Sequence, residues 1–328
     1  MTDWRMTTAK NTIKTILPFQ GALRALKRRV SPPELGARHA MVVKGGLEHI
    51  EAARDAGVRL DGARVIELGT GWFPIQPLMF RAAGAGVVYL TDAHRLMDAR
   101  TLGLALDYVR ERAGEVAERL GLDRAAVEAR LAPPPEGADL DEALRRLGMV
   151  YLVPFDERSE TGPVDVFVSH TVLEHIPPEA IRAIFAHVRP RMAPGGVASH
   201  GVDHSDHRAN VDPSLSRIDF LRYGERVWPM LCRDPQDYTN RLRHSDYLRL
   251  LAETGWGEVV RELVKVDRDL AARVPTMPLD ARFRGRDPED LATLWTHVVA
   301  RAGPAASSAA SSAASAPART VVWAEAAG

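Results

Sequence analysis

Val65-Ile66-Glu67-Leu68-Gly69-Thr70-Gly71 is the stretch that decides the fold: two β-branched residues lead into an acid and then into a Gly-x-Gly turn. Such a run is a strand delivering a tight turn. Glycine there adopts backbone angles that a Cβ forbids and lets the main chain approach a ligand closely. A lone Gly-x-Gly is weak evidence. It gains force because the next apolar run, Val87-Val88-Tyr89-Leu90, ends in Thr91-Asp92, which puts a carboxylate roughly 20 residues past the glycines, about where a ribose would lie. A third run, Val164-Asp165-Val166-Phe167-Val168-Ser169-His170, has the same form.

Taken in order, ELGTG (67–71), YLTD (89–92), DVFVSHTVLEHI (165–176) and MAPGGV (192–197) resemble the class I S-adenosylmethionine-dependent methyltransferases, particularly the group typified by the ubiquinone and menaquinone biosynthetic enzymes. Four motifs in sequence are more specific than any one of them. The resemblance implies a Rossmann-like α/β sheet, mostly parallel with an antiparallel last strand, and S-adenosylmethionine as cofactor. It also implies roles for residues. Glu67, Gly69, Thr70 and Gly71 form the turn beside the methionine and ribose portion, and Asp92 takes the ribose hydroxyls. Asp156 is a partner for the adenine amino group, and Ser169 and His170 end the fourth strand near the sulfonium. One departure is visible: many members carry a third glycine two residues past Gly71, where this chain has Phe73 followed by Pro74.

Composition is compatible with this reading. At 328 residues and 45% apolar content the chain can bury a large core. Lys and Arg number 43, as do Asp and Glu, so no global field attracts a polyanion, and nucleic acid is not an expected partner. Cys232 is the only cysteine and forms no internal disulfide, which fits a cytoplasmic location. No apolar run approaches the roughly 20 residues of a bilayer span.

The expected organisation is an N-terminal helical cap over 1–60, then a cofactor-binding domain over 61–328 with insertions at 95–148 and 203–245. Lys10 to Val30 mixes apolar and basic residues in an amphipathic pattern, and Ser31-Pro32-Pro33-Glu34 reads as a helix start. A helix over Lys44–Ala56 leads into the first strand, and by the resemblance Arg38, His39 and Lys44 are candidate pocket residues. The first insertion reads as helices over Leu96–Leu120, Asp123–Leu131 and Asp139–Leu147. It is a dimerisation surface, a lid or a helical decoration, so a homodimer is among the partners considered. A third strand over Met149–Val153, a helix opening at Asn240–Asp246 and a strand over Val259–Val266 follow. Ala305–Ala316 is low complexity, and Thr320-Val321-Val322-Trp323 supplies either the antiparallel last strand or part of a loose tail.

Methyl transfer from a sulfonium is a direct displacement, so alignment supplies much of the catalysis, and a base is needed when the acceptor is a hydroxyl or protonated amine. His170, His175, His200, His204 and His207 crowd the ends of the fourth and fifth strands, where open α/β sheets hold ligands. His204 is the first candidate base, with His170 and His207 behind it and Asp203 or Asp206 fixing a tautomer. His200, Asp203, His204 and His207 are chemically competent metal ligands, but their spacing matches no established motif, so no metal is assigned. Tyr223, Trp228, Tyr238 and Arg241 either line an acceptor pocket or pack an irregular segment. The function expected is methyl transfer to oxygen or nitrogen of a small-molecule acceptor. The alternatives are an S-adenosylmethionine-binding protein without methyl transfer and a nicotinamide-dependent oxidoreductase.

Overall fold

Among the described residues eight strands form one sheet in the order β3-β2-β1-β4-β5-β7-β6-β8. They are β1 (Arg64–Leu68), β2 (Val87–Thr91), β3 (Met149–Leu152), β4 (Val164–His170), β5 (Met192–Asp203), β6 (Glu258–Asp267), β7 (Thr293–Arg301) and β8 (Ala318–Ala324). The computed structural model describes residues 34–36, 38–156, 158–232, 238–303 and 318–324. The expectations for Lys10 to Pro33 and for Ala305–Ala316 lie outside the described residues.

Strands β1 to β5 pair in parallel, β7 runs antiparallel between β5 and β6, and β8 adds to β6 in parallel. This is the Rossmann-like, mostly parallel sheet expected, with a different strand reversed. The antiparallel strand is Thr293–Arg301, which the sequence reading left unassigned, and Thr320–Trp323 sits within the parallel edge strand β8. A polar pair, Thr296-His297, interrupts the apolar run of β7 and masks its pattern. Both side chains are buried and find partners inside the sheet layers.

The helices, in chain order, are α1 (Arg38–Asp55), α2 (Ile75–Ala82), α3 (Ala99–Arg110), α4 (Ala113–Leu120), α5 (Arg124–Arg130), α6 (Leu140–Arg146), α7 (Pro178–Val188), α8 (Trp228–Leu231), α9 (His244–Glu253), α10 (Arg268–Arg273) and α11 (Pro288–Leu291). The long helix expected over Leu96–Leu120 is two. Asp98 starts α3 with a capping box, its side chain accepting from the Thr101 N–H. Arg112 leaves helical geometry (φ −104°, ψ 9°) and donates from its guanidinium to the Tyr108 carbonyl at 2.8 Å, which meets an acceptor that the helix end leaves open. Asp123 and Asp139 cap α5 and α6 as their positions predict.

Parallel strands buried on both faces give two core layers. Along β4 the faces alternate: Val166 and Val168 pack with Leu47, Ile50, Leu78 and Phe80 beneath α1 and α2. Phe167 packs with Ile181, Phe185, Leu250 and Trp256 beneath α7 and α9. Phe167 is fully buried and stacks on Trp256 with ring centroids 6.1 Å apart. Phe167→Ala is expected to cost about 3–5 kcal/mol, read from the denaturant midpoint. Strand order reverses between β1 and β4, and the carboxyl ends of the strands at such a reversal are where open α/β sheets take a ligand in a crevice.

Candidate functional site

The turn leaving β1 is built to hold the main chain open. Gly69 and Gly71 have φ of 80° and 68°, a region that suits glycine. A Cβ on Gly69 would lie 2.5 Å from the Val172 side chain, so the loop after β4 closes directly on it, whereas Gly71 faces open space. The Gly69 and Thr70 N–H groups both donate to the Thr91 carbonyl, and the Gly71 N–H donates to Asp92 Oδ2 at 2.9 Å. Turn and neighbouring strand are thereby tied together, with Asp92 beside the open glycine. Across the turn, the ring of His39 from α1 meets Phe73 edge-on at 5.2 Å. Of the other two pocket candidates in α1, Lys44 is exposed with its ammonium 4.0 Å from Glu48, and the Arg38 side chain lies outside the described residues.

Beneath the turn, polarity is left unmet. Glu67 is buried and Thr70 sits beside it; burial pushes the Glu67 carboxyl up to about 8 against the Thr70 hydroxyl, with the Asp92 charge adding to the rise. Glu67 Oε2 and both side-chain polar atoms of the buried Gln76, in the first turn of α2, lack hydrogen-bond partners among the described residues. Each such buried orphan costs about 1–3 kcal/mol, which a polar ligand would recover. Because the folded-state pKa of Glu67 is raised, its contribution to stability is complete below the ordinary glutamate range and is lost as pH rises through about 8. Glu67→Gln is therefore expected to gain stability relative to the wild type between about pH 5 and pH 9, read from thermal midpoints across that window.

The imidazoles separate into distinct environments. His170 ends β4 with its ring held between Gly45 of α1 and Gly201 of β5, where a Cβ on either glycine would collide with it. The next residue, Thr171, has φ of 53°, an uncommon conformation for a β-branched residue and one often found at ligand sites. Ser169 points to the opposite face: its hydroxyl lies 2.8 Å from His200 Nδ1, and His200 stacks on Phe185, where burial pushes it down to about 3.

The expectation for His204 gives way to its surroundings. It is buried, Nδ1 donates to the Leu242 carbonyl at 3.1 Å and Nε2 lies 2.8 Å from the Thr296 hydroxyl, so neither nitrogen is left for a ligand. Burial, then the Arg243 charge, push it down to about 3. His207 is instead partly exposed, with Nε2 3.4 Å from Asp203 Oδ2 and its ring 5.1 Å from that of His175. Against the opposing effect of burial, hydrogen bonds from His207 and Ser205 hold the Asp203 carboxyl down at about 2.

The four ligands considered for a metal are not assembled, because His200 and His204 turn to separate buried partners. Donor atoms that do converge, all within 4.8 Å, belong to Glu174, His175 and His207. His175 Nδ1 donates to the Tyr238 carbonyl at 2.8 Å, while burial, then the Asp203 charge, push the Glu174 carboxyl well up.

Asp156 closes its own loop, accepting from the Arg158 backbone at 3.0 Å and from its guanidinium at 2.9 Å, on the rim of a cleft of about 640 Å³ that also involves Ile184 and His187 of α7. The aromatic and basic candidates past β5 pack together. Trp228 Nε1 donates to the Thr239 carbonyl at 2.8 Å, and the buried Arg241 lies over its ring and donates to Glu225 at 2.7 Å. Sequence reasoning passed over Gln76, His49, Ser199 and His297. Their residue types carry no motif; α1 packed on the sheet and β7 paired beside β5 bring His49, Ser199 and His297 together, while Gln76 comes from α2.

No family model matches the chain, and no curated protein matches it. Among solved structures, the chain is similar to magnesium protoporphyrin IX methyltransferase from Synechocystis PCC 6803 with bound SAH, at 14% identity over 89% of this chain and 98% of that one, with a TM-score of 0.41. A geranyl diphosphate methyltransferase in complex with SAM is 12% identical over 80% and 84% of the two chains, with a TM-score of 0.41. A putative sarcosine dimethylglycine methyltransferase from Galdieria sulphuraria is 14% identical over 80% and 86%, with a TM-score of 0.42. The strand order and the single reversed strand, rather than these likenesses, carry the assignment of a Rossmann-like fold.

Proposed function

We propose that this chain is an S-adenosylmethionine-dependent methyltransferase acting on oxygen or nitrogen of a small-molecule acceptor. The observation that carries the reading is the conjunction at the switch point: an open Gly71 tied to Asp92, with buried Glu67 Oε2 and the Gln76 amide lacking partners among the described residues. A ligand that brings a ribose, an ammonium and a carboxylate together matches these groups. Asp92 would take the ribose hydroxyls with its remaining lone pairs, Glu67 would meet the ammonium, and the Gln76 amide would meet the carboxylate. Bound there, S-adenosylmethionine supplies an electrophilic methyl group on a sulfonium. The chain's own part is to hold the acceptor in line and to take its proton. His207 serves that second task, with Asp203 behind Nε2 to orient the ring, because it stands four residues past the end of β5 and retains access to solvent. Asp156, Ser169 and His170 remain cofactor-side residues in this proposal; Ser169 acts from beneath, through its buried contact with His200.

Charge balance favours a small acceptor over nucleic acid. Among the described residues no helix is long and apolar enough to cross a membrane. Calorimetric titration of the full chain with S-adenosylmethionine and with a nicotinamide dinucleotide tests the proposal. Binding of the sulfonium compound with no comparable dinucleotide binding is expected, and tight dinucleotide binding alone would overturn it.

A further inference from the structure

Behind His170 runs a buried chain of hydrogen bonds that the methyl-transfer reading does not use. His170 Nδ1 lies 3.1 Å from His49 Nε2, His49 Nδ1 lies 2.7 Å from the Ser199 hydroxyl, and that hydroxyl lies 2.8 Å from His297 Nε2. Three elements contribute: α1 brings His49, β5 brings Ser199 and β7 brings His297. The rings of His49 and His297 are 4.5 Å apart at their centroids. Burial pushes all three imidazoles down, His170 to about 4, His297 to about 3 and His49 well below its ordinary value, so each is neutral at neutral pH.

A neutral imidazole has one N–H and one lone pair, and a hydroxyl has one proton to give. With four groups in a row, the tautomers cannot be chosen independently. If Ser199 donates to His297 Nε2, His49 Nδ1 must donate to Ser199. His49 Nε2 is then an acceptor, and His170 Nδ1 must donate to it. The lone pair of His170 is thereby left on Nε2, the nitrogen with no hydrogen-bond partner among the described residues. The reverse direction satisfies the same contacts but leaves Nε2 carrying a hydrogen. These alternatives have opposite consequences at the crevice, since a ligand with an ammonium and a sulfonium meets either a lone pair or a positively polarised N–H.

We propose that His49, Ser199 and His297 are positioning residues that fix the tautomer of His170, keeping its proton on Nδ1 and presenting the Nε2 lone pair to the cofactor crevice as an acceptor for a cationic ligand. The direction chosen rests on the methyltransferase reading, because a cationic ligand favours the lone pair; the coupling of the four groups rests on their contacts alone. The clamp of Gly45 and Gly201 on the ring, with Trp295 at 5.1 Å, holds the orientation while the chain holds the proton. Neutrality and direction together make the end of β4 compatible with a cation.

The test is long-range proton–nitrogen correlation spectroscopy of the imidazoles in the full chain without ligand, with His170→Asn to assign the signals. Wild-type His170 is expected to be protonated on Nδ1. His297→Phe leaves Ser199 only His49 Nδ1 to donate to, which reverses the chain and moves the His170 proton to Nε2. Ser199→Ala breaks the chain and gives a mixture of both tautomers, which keeps the test available should the phenylalanine variant fail to fold. S-adenosylmethionine affinity should fall several-fold in His297→Phe and less in Ser199→Ala. A wild-type His170 protonated on Nε2, or a His170 tautomer unmoved by whichever variant folds, overturns the proposal. Because the tautomer is read without ligand, failure of the wild type to bind S-adenosylmethionine would refute the proposed function separately.

Discussion

Replacing Asp92 with alanine is expected to weaken S-adenosylmethionine binding by roughly 10- to 100-fold, the loss of about 1.5–3 kcal/mol that follows when hydrogen bonds to a charged acceptor are removed. Two effects add. The carboxylate no longer accepts from the ribose hydroxyls, and the Gly71 N–H loses the acceptor that holds it at 2.9 Å, so the turn itself loosens. Asp92→Asn separates them, because the amide oxygen still accepts from Gly71 while the charge and one acceptor are gone. Its loss should therefore be smaller than that of the alanine variant. Isothermal titration of both variants against the wild type measures the difference. Equal affinity in wild type and Asp92→Ala would remove Asp92 from the cofactor site.

His207→Ala is expected to lower turnover by about 10²- to 10⁴-fold while leaving cofactor affinity nearly unchanged, the range associated with loss of a positioned general base. Of the three imidazoles first considered for this role, His204 has both nitrogens engaged in the interior and His170 has Nδ1 in the chain behind β4 and Nε2 assigned to the cofactor, whereas His207 is partly exposed and backed by Asp203. His204→Ala should instead act through stability, since the Thr296 hydroxyl and the Leu242 carbonyl lose their buried partner. Kinetic assay and denaturant unfolding of the two variants distinguish these outcomes. A His204→Ala variant that folds as stably as the wild type but has lost turnover would restore His204 to the mechanism.

Much of the frame was legible from local sequence. The β1 turn and the β2 terminus announce themselves through residue types that are costly elsewhere: glycines at positive φ and an acid at a strand end. Helix limits at Asp123, Asp139 and Gly255 follow from capping chemistry, and Gly255 does stop α9 with φ of 87°. Legibility failed where partners are distant in sequence. Strand β7 hides because Thr296 and His297 look exposed until His204 and Ser199, more than ninety residues away, satisfy them. The choice among histidines failed for the same reason: spacing shows that five of them cluster near strand ends, but not which side of the sheet each faces. On successive positions of one strand, Ser169 and His170 enter opposite core layers, a consequence of the two-residue repeat once register is known. His49 had no local signal at all, since only the packing of α1 across β4 and β5 brings it to His170 and Ser199.

The central claim is that the crevice between the ends of β1 and β4 holds the adenosyl cofactor. A crystal structure of the full chain with S-adenosylhomocysteine tests it most directly. The account predicts the ribose hydroxyls within hydrogen-bond distance of Asp92, the backbone of Gly71 against the ligand, and the amino acid end reaching Glu67 and Gln76. Ligand density elsewhere, or a crevice closed by the side chains of α1 with the cofactor excluded, would contradict it.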